Sequence, residues 1–282
     1  MTRLVRQVGS ELVVPRFRAL GAGDVLQKMT PGDIDDVVTV VDHEAEEALT
    51  AGLREIADVP VVGEEAAAAD PSILRRLDDE RPVWIVDPLD GTKNFAAGED
   101  GFGIMVSYVE RRHARAAWIH LPVRRETFVA SAGSGACLNG QRVRVPLETA
   151  AGRPAGTVFI RFMPSDARDR VMARLDGHYT PAEQNGAAAV EYTDVLRGHK
   201  DFVLYYRLLP WDHGAPALIP DRSGRRRLSS RRQRVLRGVA ESGDDRGCAR
   251  GHRTHASNMD WRRSVTAWRP QHSTPLSAHA AH

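Results

Sequence analysis

Hydrophobic and polar positions change their period several times along the chain, and each change marks an element. Residues 1 to about 28 alternate charged and apolar side chains and are predicted to form an amphipathic helix. MTPGDIDD (29–36) interrupts it with Pro and Gly. The next stretch, DVVTVVDHEAEEALTAGLREI (36–56), begins extended and becomes a helix rich in Ala, Glu and Leu, with Asp42 near its start. VPVVGEE (59–65) reads as a short buried strand ending in two glutamates. RPVWIVDPLDGT (81–92) reads as another, ending in Asp87 and Asp90. From 101 to 145 the pattern alternates with period two, and turn-like breaks fall near Arg111, Pro122 and Gly133, as in an antiparallel meander. TVFIRF (157–162) is a predicted strand, SDARDRVMARLDG (165–177) a helix, 186–206 a helix leading into a strand, and LLPWDHGAPALI (208–219) a loop entering a helix. Beyond Ile219 no apolar period of 2 or 3.6 is sustained. That segment cannot bury a face and is predicted to be disordered or badly packed.

Length and composition narrow this picture only modestly. With 282 residues the chain has room for one large or two small domains. No apolar run approaches the length needed to cross a bilayer, and the N-terminus lacks the pattern of a signal peptide. Cys137 and Cys248 give neither a disulfide framework nor metal-ligand spacing, which suits a reducing, cytoplasmic setting. Lysine is scarce: Lys28, Lys93 and Lys200 stand against 36 arginines, a ratio that reads as coding bias. The net charge of +2 conceals a split, because residues 220–282 carry 14 arginines and five acids while the first 219 residues carry −7.

The chemistry is suggested by carboxylates at element boundaries. Asp42, Glu64, Asp87, Asp90 and Asp212 each end an apolar strand or begin a helix, where a scaffold can aim them into one cleft. Oxygen ligands without His or Cys suit a hard cation, Mg2+ before Zn2+. Gly91-Thr92 would open a turn or helix whose free amides can hold a phosphate. Together these point to metal-assisted hydrolysis of a phosphate ester. Each also has a bland reading. A D-x-x-D after a strand is commonly a turn or helix cap, and Asp42 could be the N-cap of the helix it precedes. Glu65 reads as a solvated neighbour or as a group supporting the metal ligands, Asp33, Asp35 and Asp36 as a solvated loop, and Lys93 as a phosphate contact or a surface lysine. His43, His113, His120 and His213 lack ligand spacing and are taken as structural.

GEE (63–65), WIVDPLDGTKNF (84–95) and WDHGAPALI (211–219), with DDVVTVVD (35–42), resemble the signature segments of the inositol monophosphatase superfamily of Mg2+-dependent, lithium-sensitive phosphatases. The resemblance runs from about residue 5 to 219. It implies an α/β fold, a five-layered αβαβα sandwich, with subregions 1–145 and 146–219 followed by the tail 220–282. It implies that Glu64, Asp87 and the Leu89 carbonyl hold a first Mg2+, that Asp87, Asp90 and Asp212 hold a second, and that Asp42 lies near a looser third. Thr92, with Glu64 and Asp42, would orient and help deprotonate the attacking water, the Gly91 and Thr92 amides would bind phosphate, and Gly186, Ala187 and Ala188 would line the substrate ring. The implied partner is a small-molecule phosphate ester, with inositol 1-phosphate the leading substrate. The resemblance also implies a homodimer.

Two departures stand out. Where inositol-specific members carry a glutamate that accepts from a ring hydroxyl, this chain has Tyr205, which weakens discrimination for inositol. Lys93 is shared instead with branches acting on nucleotide 3′-phosphates or histidinol phosphate, which makes a 3′(2′),5′-bisphosphate nucleotidase or a histidinol-phosphatase the rival enzyme. After Ile219, Pro220 cuts the expected helix and the family pattern ends, so the tail reads as frame-shifted and the second subregion as incomplete. The rival readings outside the enzyme class are a non-catalytic relic and a basic nucleic-acid-binding tail. The tail's few aromatics and lack of a recognisable module count against nucleic acid.

Overall fold

The computed structural model describes residues 1–28, 36–143 and 152–218. The expectations for residues 29–35 and for the tail after Leu218 fall outside them. The chain opens with a continuous helical stretch, α1, made of Thr2–Val8, a π-helical segment Gly9–Val13 and Val14–Arg16. Pro15 has no N–H to give and crowds the carbonyl four residues back, which is a physical reason for the widened segment before it. The predicted helix to residue 28 is therefore too long. Arg18 takes a left-handed φ of 62°, and β1 (Val25–Gln27) pairs antiparallel with β2 (Val37–Thr39). The long helix α2 (Val40–Ile56) follows directly.

Next come β3 (Val61–Gly63), the short helix α3 (Glu64–Ala69), β4 (Val83–Asp90) and α4 (Thr92–Ala97). The expected meander is present as β5 (Gly103–Glu110), β6 (His113–Leu121), β7 (Glu126–Ser131), β8 (Gly135–Leu138) and β9 (Gln141–Arg142). Its turns carry positive φ at Arg111, Arg112, Arg125 and Gly133. β3 to β9 form one sheet in sequence order, with β3 parallel to β4 and the other neighbours antiparallel. After it come β10 (Ala155–Phe159), α5 (Ser165–Leu175), β11 (Thr180–Pro181), α6 (Ala188–Arg197), β12 (Phe202–Tyr205) and α7 (Pro210–Gly214). β11-β10-β12 is a second, all-parallel sheet. α7 gives way to a 3-10 turn at Pro216–Leu218, and the break expected at Pro220 lies outside the described residues.

Period-two burial sorts the layers. Trp84 and Val86 of β4 pack with Ile104, Val106 and the inner stripes of α1 and α2, including Val5, Leu49 and Leu53. Val83 and Ile85 point the other way, to Val62, Leu77 and Trp211. Further along the sheet, Ile119, Phe128 and Ala130 meet Ala189, Val190 and Leu196 of α6, which in turn pack on Val203 of β12. The order is thus helix, sheet, helix, sheet, a layered α/β fold.

α2 is capped by Thr39, whose side chain accepts from Val41 N, while Asp42 at the third helical position reaches back to Thr39 N at 2.8 Å. Thr39, not Asp42, is the N-cap. One turn on, the buried Glu46 takes over the same task for α3, which has no side-chain cap of its own. Its carboxylate accepts from Glu65 N and Ala66 N, both at 2.8 Å. Gly63 makes room for it, since a Cβ there would lie 2.3 Å from the Glu46 carboxyl carbon. Glu46→Ala is expected to cost about 2 kcal/mol by orphaning these two amides. Chemical denaturation read by circular dichroism checks this, and an unchanged midpoint would refute the capping role.

Candidate active site

The fully buried strand β4 delivers Asp87 and Asp90 to its C-terminal end, where the pairing register with β5 shifts between them. Asp87 Oδ1 accepts from Leu89 N at 3.1 Å. Gly91 then turns the chain in the left-handed region (φ 86°), and a Cβ there would stand 2.7 Å from Gly101 O and 2.8 Å from Ala187 Cβ. Only glycine satisfies both demands. α4 begins immediately, and the Thr92 hydroxyl lies 2.8 Å from Asp42 Oδ1 and 2.9 Å from the Leu89 carbonyl. Asp42 Oδ2 is held by Thr39 N and by the Thr39 hydroxyl at 2.6 Å.

From the other side, the start of α6 donates Ala189 N to Asp90 Oδ2 at 2.5 Å, and α7 brings Asp212. Asp87, Asp90 and Asp212 each offer an oxygen within 4.8 Å of the others. Burial is the main cause that raises their pKa values, and mutual repulsion adds to it. Asp90 is pushed up to about 7, with the α6 amides pulling against the shift. Asp87 and Asp212 are raised well above the usual carboxylate range. Asp42 reaches about 6, again through burial, offset by its hydrogen bonds to Thr39 and Thr92. Close-packed buried carboxylates with elevated pKa values are what a hard divalent cation would relieve, so the residues present fit Mg2+.

Glu64 stands beside this trio without joining it. Its carboxylate takes Lys28 Nζ at 2.7 Å, and the same ammonium bonds Glu65 Oε1 at 2.7 Å. Burial works to lower the Lys28 pKa, but the two glutamates outweigh it and hold the ammonium charged. Glu65 is buried and shares the Lys28 ammonium with Glu64, so of its two expected roles the structure excludes the solvated one and leaves that of a group beside the ligands. Lys28 directly follows β1, where local amphipathicity predicts a helix and gives no sign of a site residue.

The predicted substrate segment lies at the same end. Gly186 has φ 73°, while Ala187 and Ala188 are buried. Tyr205 ends β12 opposite Phe159, their rings stacked at 4.7 Å and 8°. Its hydroxyl is buried with no hydrogen-bond partner among the described residues. The fully buried His213 touches the Tyr205 ring at 4.8 Å, and burial lowers its pKa to about 3. A neutral ring with Nε2 3.3 Å from the Arg207 carbonyl is a donor there and an acceptor at Nδ1, so the Tyr192 hydroxyl donates to it at 2.8 Å. His213 is thus structural, as expected. Lys93 is exposed.

The fold and the acid trio define a class: a layered α/β protein with an all-oxygen carboxylate site suited to a hard cation. The sequence pattern of the inositol monophosphatase family matches residues 6–227. A fructose-1,6-bisphosphatase/inositol-1-monophosphatase of Thermotoga maritima is 30% identical over 226 residues, covering 79% of this chain and 80% of the relative. The Nus factor SuhB of Pseudomonas aeruginosa is 32% identical over 228 residues, covering 79% and 81%. Among solved structures, an inositol monophosphatase (IMPase) of Thermotoga maritima superposes with a TM-score of 0.62 at 28% identity, over 76% of this chain and 78% of that one. An IMPase/NADP phosphatase complexed with Mg2+ and phosphate shares the fold, with a TM-score of 0.61 at 19% identity, over 77% of each chain. The chain belongs to the inositol monophosphatase family and is a phosphoric monoester hydrolase. No helix among the described residues is long and apolar enough to cross a membrane.

The raised carboxyls set a pH dependence. Because their folded pKa values exceed the unfolded ones, they favour the metal-free fold at acid pH, and that contribution is lost as pH rises through about 7, the value at Asp90. A cation must displace the same protons. The increase in melting temperature caused by Mn2+ should therefore be larger at pH 8 than at pH 5.5. Thermal scans with and without the ion test this, and equal increases at both values would contradict it.

Proposed function

We propose that the chain hydrolyses a small polyol or sugar phosphate with Mg2+, inositol 1-phosphate being the leading candidate, to give the alcohol and inorganic phosphate. The observation that carries this reading is the convergence of Asp87, Asp90 and Asp212 from β4 and α7 onto one point. Asp87, Asp90 and Asp212 would hold one ion. Glu64, Asp87 and the Leu89 carbonyl would hold another once Glu64 parts from Lys28, and Asp42 borders a looser third position. When bound, Mg2+ supplies positive charge that acidifies water and neutralises the phosphoryl oxygens. The Gly91 and Thr92 amides bind a phosphate oxygen. As the water oxygen bonds to phosphorus and the ester P–O bond breaks, Thr92 Oγ1 accepts a proton from that water while its own passes to Asp42 Oδ1, along the 2.8 Å contact already in place. The departing alcohol oxygen takes a proton from solvent. Gly186, Ala187 and Ala188 border the alcohol.

Tyr205 favours a second reading of the alcohol. A carboxylate accepts from two neighbouring hydroxyls, whereas a phenol stacked on Phe159 presents one hydroxyl and a flat aromatic edge. Arg207, whose charge is felt at Asp212 and whose guanidinium lies 3.9 Å over Phe162, adds a cation near the same end. Both suit an alcohol with a planar ring or a second anionic group, as in a nucleoside bisphosphate or histidinol phosphate.

Phosphate release from inositol 1-phosphate, histidinol phosphate, fructose 1,6-bisphosphate and adenosine 3′,5′-bisphosphate tests both readings. Asp87→Asn should lower kcat/KM on the preferred ester by about 100-fold or more. Tyr205→Glu should shift preference toward inositol 1-phosphate by about tenfold. A folded protein releasing phosphate from none of these would defeat the proposal and leave the relic reading standing, and an active Asp87→Asn would defeat the metal assignment.

A further inference from the structure

A second set of buried charges lies behind α6. The Glu191 side chain is completely buried, and its carboxylate accepts three bonds of 2.6 Å from three parts of the chain. Asn185 N reaches Oε1, while Thr157 Oγ1 of β10 and Lys200 Nζ reach Oε2. Lys200 is 5% exposed, donates also to the Glu183 carbonyl at 2.7 Å, and stands 3.8 Å from Asp194. Asp194 in turn accepts from Asn185 Nδ2 at 2.9 Å. From the opposite side, Asn94 Nδ2 donates to the carbonyls of Asn185 at 2.7 Å and Gly101 at 2.6 Å. The turn 183–185 is thereby held at a carbonyl, an amide and a side chain. It runs straight into Gly186 and the start of α6, whose Ala189 amide holds Asp90.

A buried ion pair adds little net stability over well-packed apolar residues of the same volume, but it is directional, and directional contacts can fix one geometry. The lysine is informative as well. At position 200 a compact ammonium serves acceptors on several sides of one point, as a planar guanidinium cannot. We propose that Glu191 and Lys200 are positioning residues for the phosphatase site: their pair fixes the turn 183–187 and, through the start of α6, sets Asp90 and the face offered to the substrate alcohol. This rests on the reading of Asp90 as a metal ligand.

The test uses the full chain with Glu191→Gln and Lys200→Met combined, which removes both charges together and leaves neither buried alone. Mn2+ binding is measured by calorimetry, and amide exchange over residues 183–189 by mass spectrometry. The melting temperature should stay within about 5 °C of the parent. The Kd for Mn2+ should rise about 10-fold, in the range seen when groups supporting metal ligands are lost. KM should rise, and exchange at 183–189 should quicken. Unchanged Kd and KM in a folded double variant would overturn the role, and so would a double variant that unfolds, since the pair would then be a stabilising element. Asp90→Asn in the parent separates the two readings. Lost Mn2+ binding there beside an unaltered double variant overturns positioning alone, whereas unaltered binding in both overturns the metal reading beneath it.

Discussion

Like charges crowded into a buried site constrain the whole molecule. Asp87, Asp90 and Asp212 lie within 4.8 Å of one another through their oxygens, and Glu64 stands close enough to raise all three. Holding Asp90 at about 7 instead of the ordinary 3.8 corresponds to about 4 kcal/mol against its ionised form at neutral pH. That is a large part of the roughly 5–15 kcal/mol by which a domain is stable. The surrounding fold answers with donors. Ala189 N serves Asp90, Leu89 N serves Asp87, Thr39 serves Asp42 twice, and Lys28 serves Glu64. These contacts offset part of the penalty and leave the remainder for a cation to relieve. The stability given up at this point is consistent with a site built to bind.

The same economy governs the backbone around the acids. The shifted register in β4, the left-handed Gly91 and the close approach of Gly63 to Glu46 each place main chain where a side chain would otherwise stand. Behind them the supports are themselves buried and polar. Glu46 closes the start of α3, and Glu191 with Lys200 closes the turn before α6. Buried carboxylates thus play two parts: Asp87, Asp90 and Asp212 turn oxygens toward one another, while Glu46 and Glu191 give theirs to amides, a hydroxyl and an ammonium of the scaffold.

At the alcohol end the contrast is between a carboxylate and an aromatic hydroxyl. Tyr205 is wedged between Phe159, Tyr192 and His213, and its buried hydroxyl has no hydrogen-bond partner among the described residues. An unpaired buried hydroxyl typically costs about 1–3 kcal/mol. On the proposed reading of this end, a polar atom of the substrate alcohol would be its partner.

Much of this could be read from the chain itself. The strand 83–90 was legible because an unbroken apolar run ends in carboxylates, and the meander because its period-two alternation is broken at Arg111, Pro122 and Gly133. Asp87, Asp90 and Asp212 were legible because charged residues at the ends of apolar runs have few structural excuses. The helix expected to residue 28 failed because local amphipathicity cannot register that Val25–Gln27 would find a partner in Val37–Thr39. Lys28, Glu191 and Lys200 escaped for a related reason: their burial depends on contacts such as Lys28 with Glu64 and Glu191 with Thr157, made across 36 and 34 positions. The sequence alone therefore determined most element types, the candidate acids and the family pattern, because periodicity and boundary charges are local properties. Tertiary structure decided which acids meet, which are neutralised and which cation holds them, because burial and pairing of charge depend on neighbours that linear order does not specify.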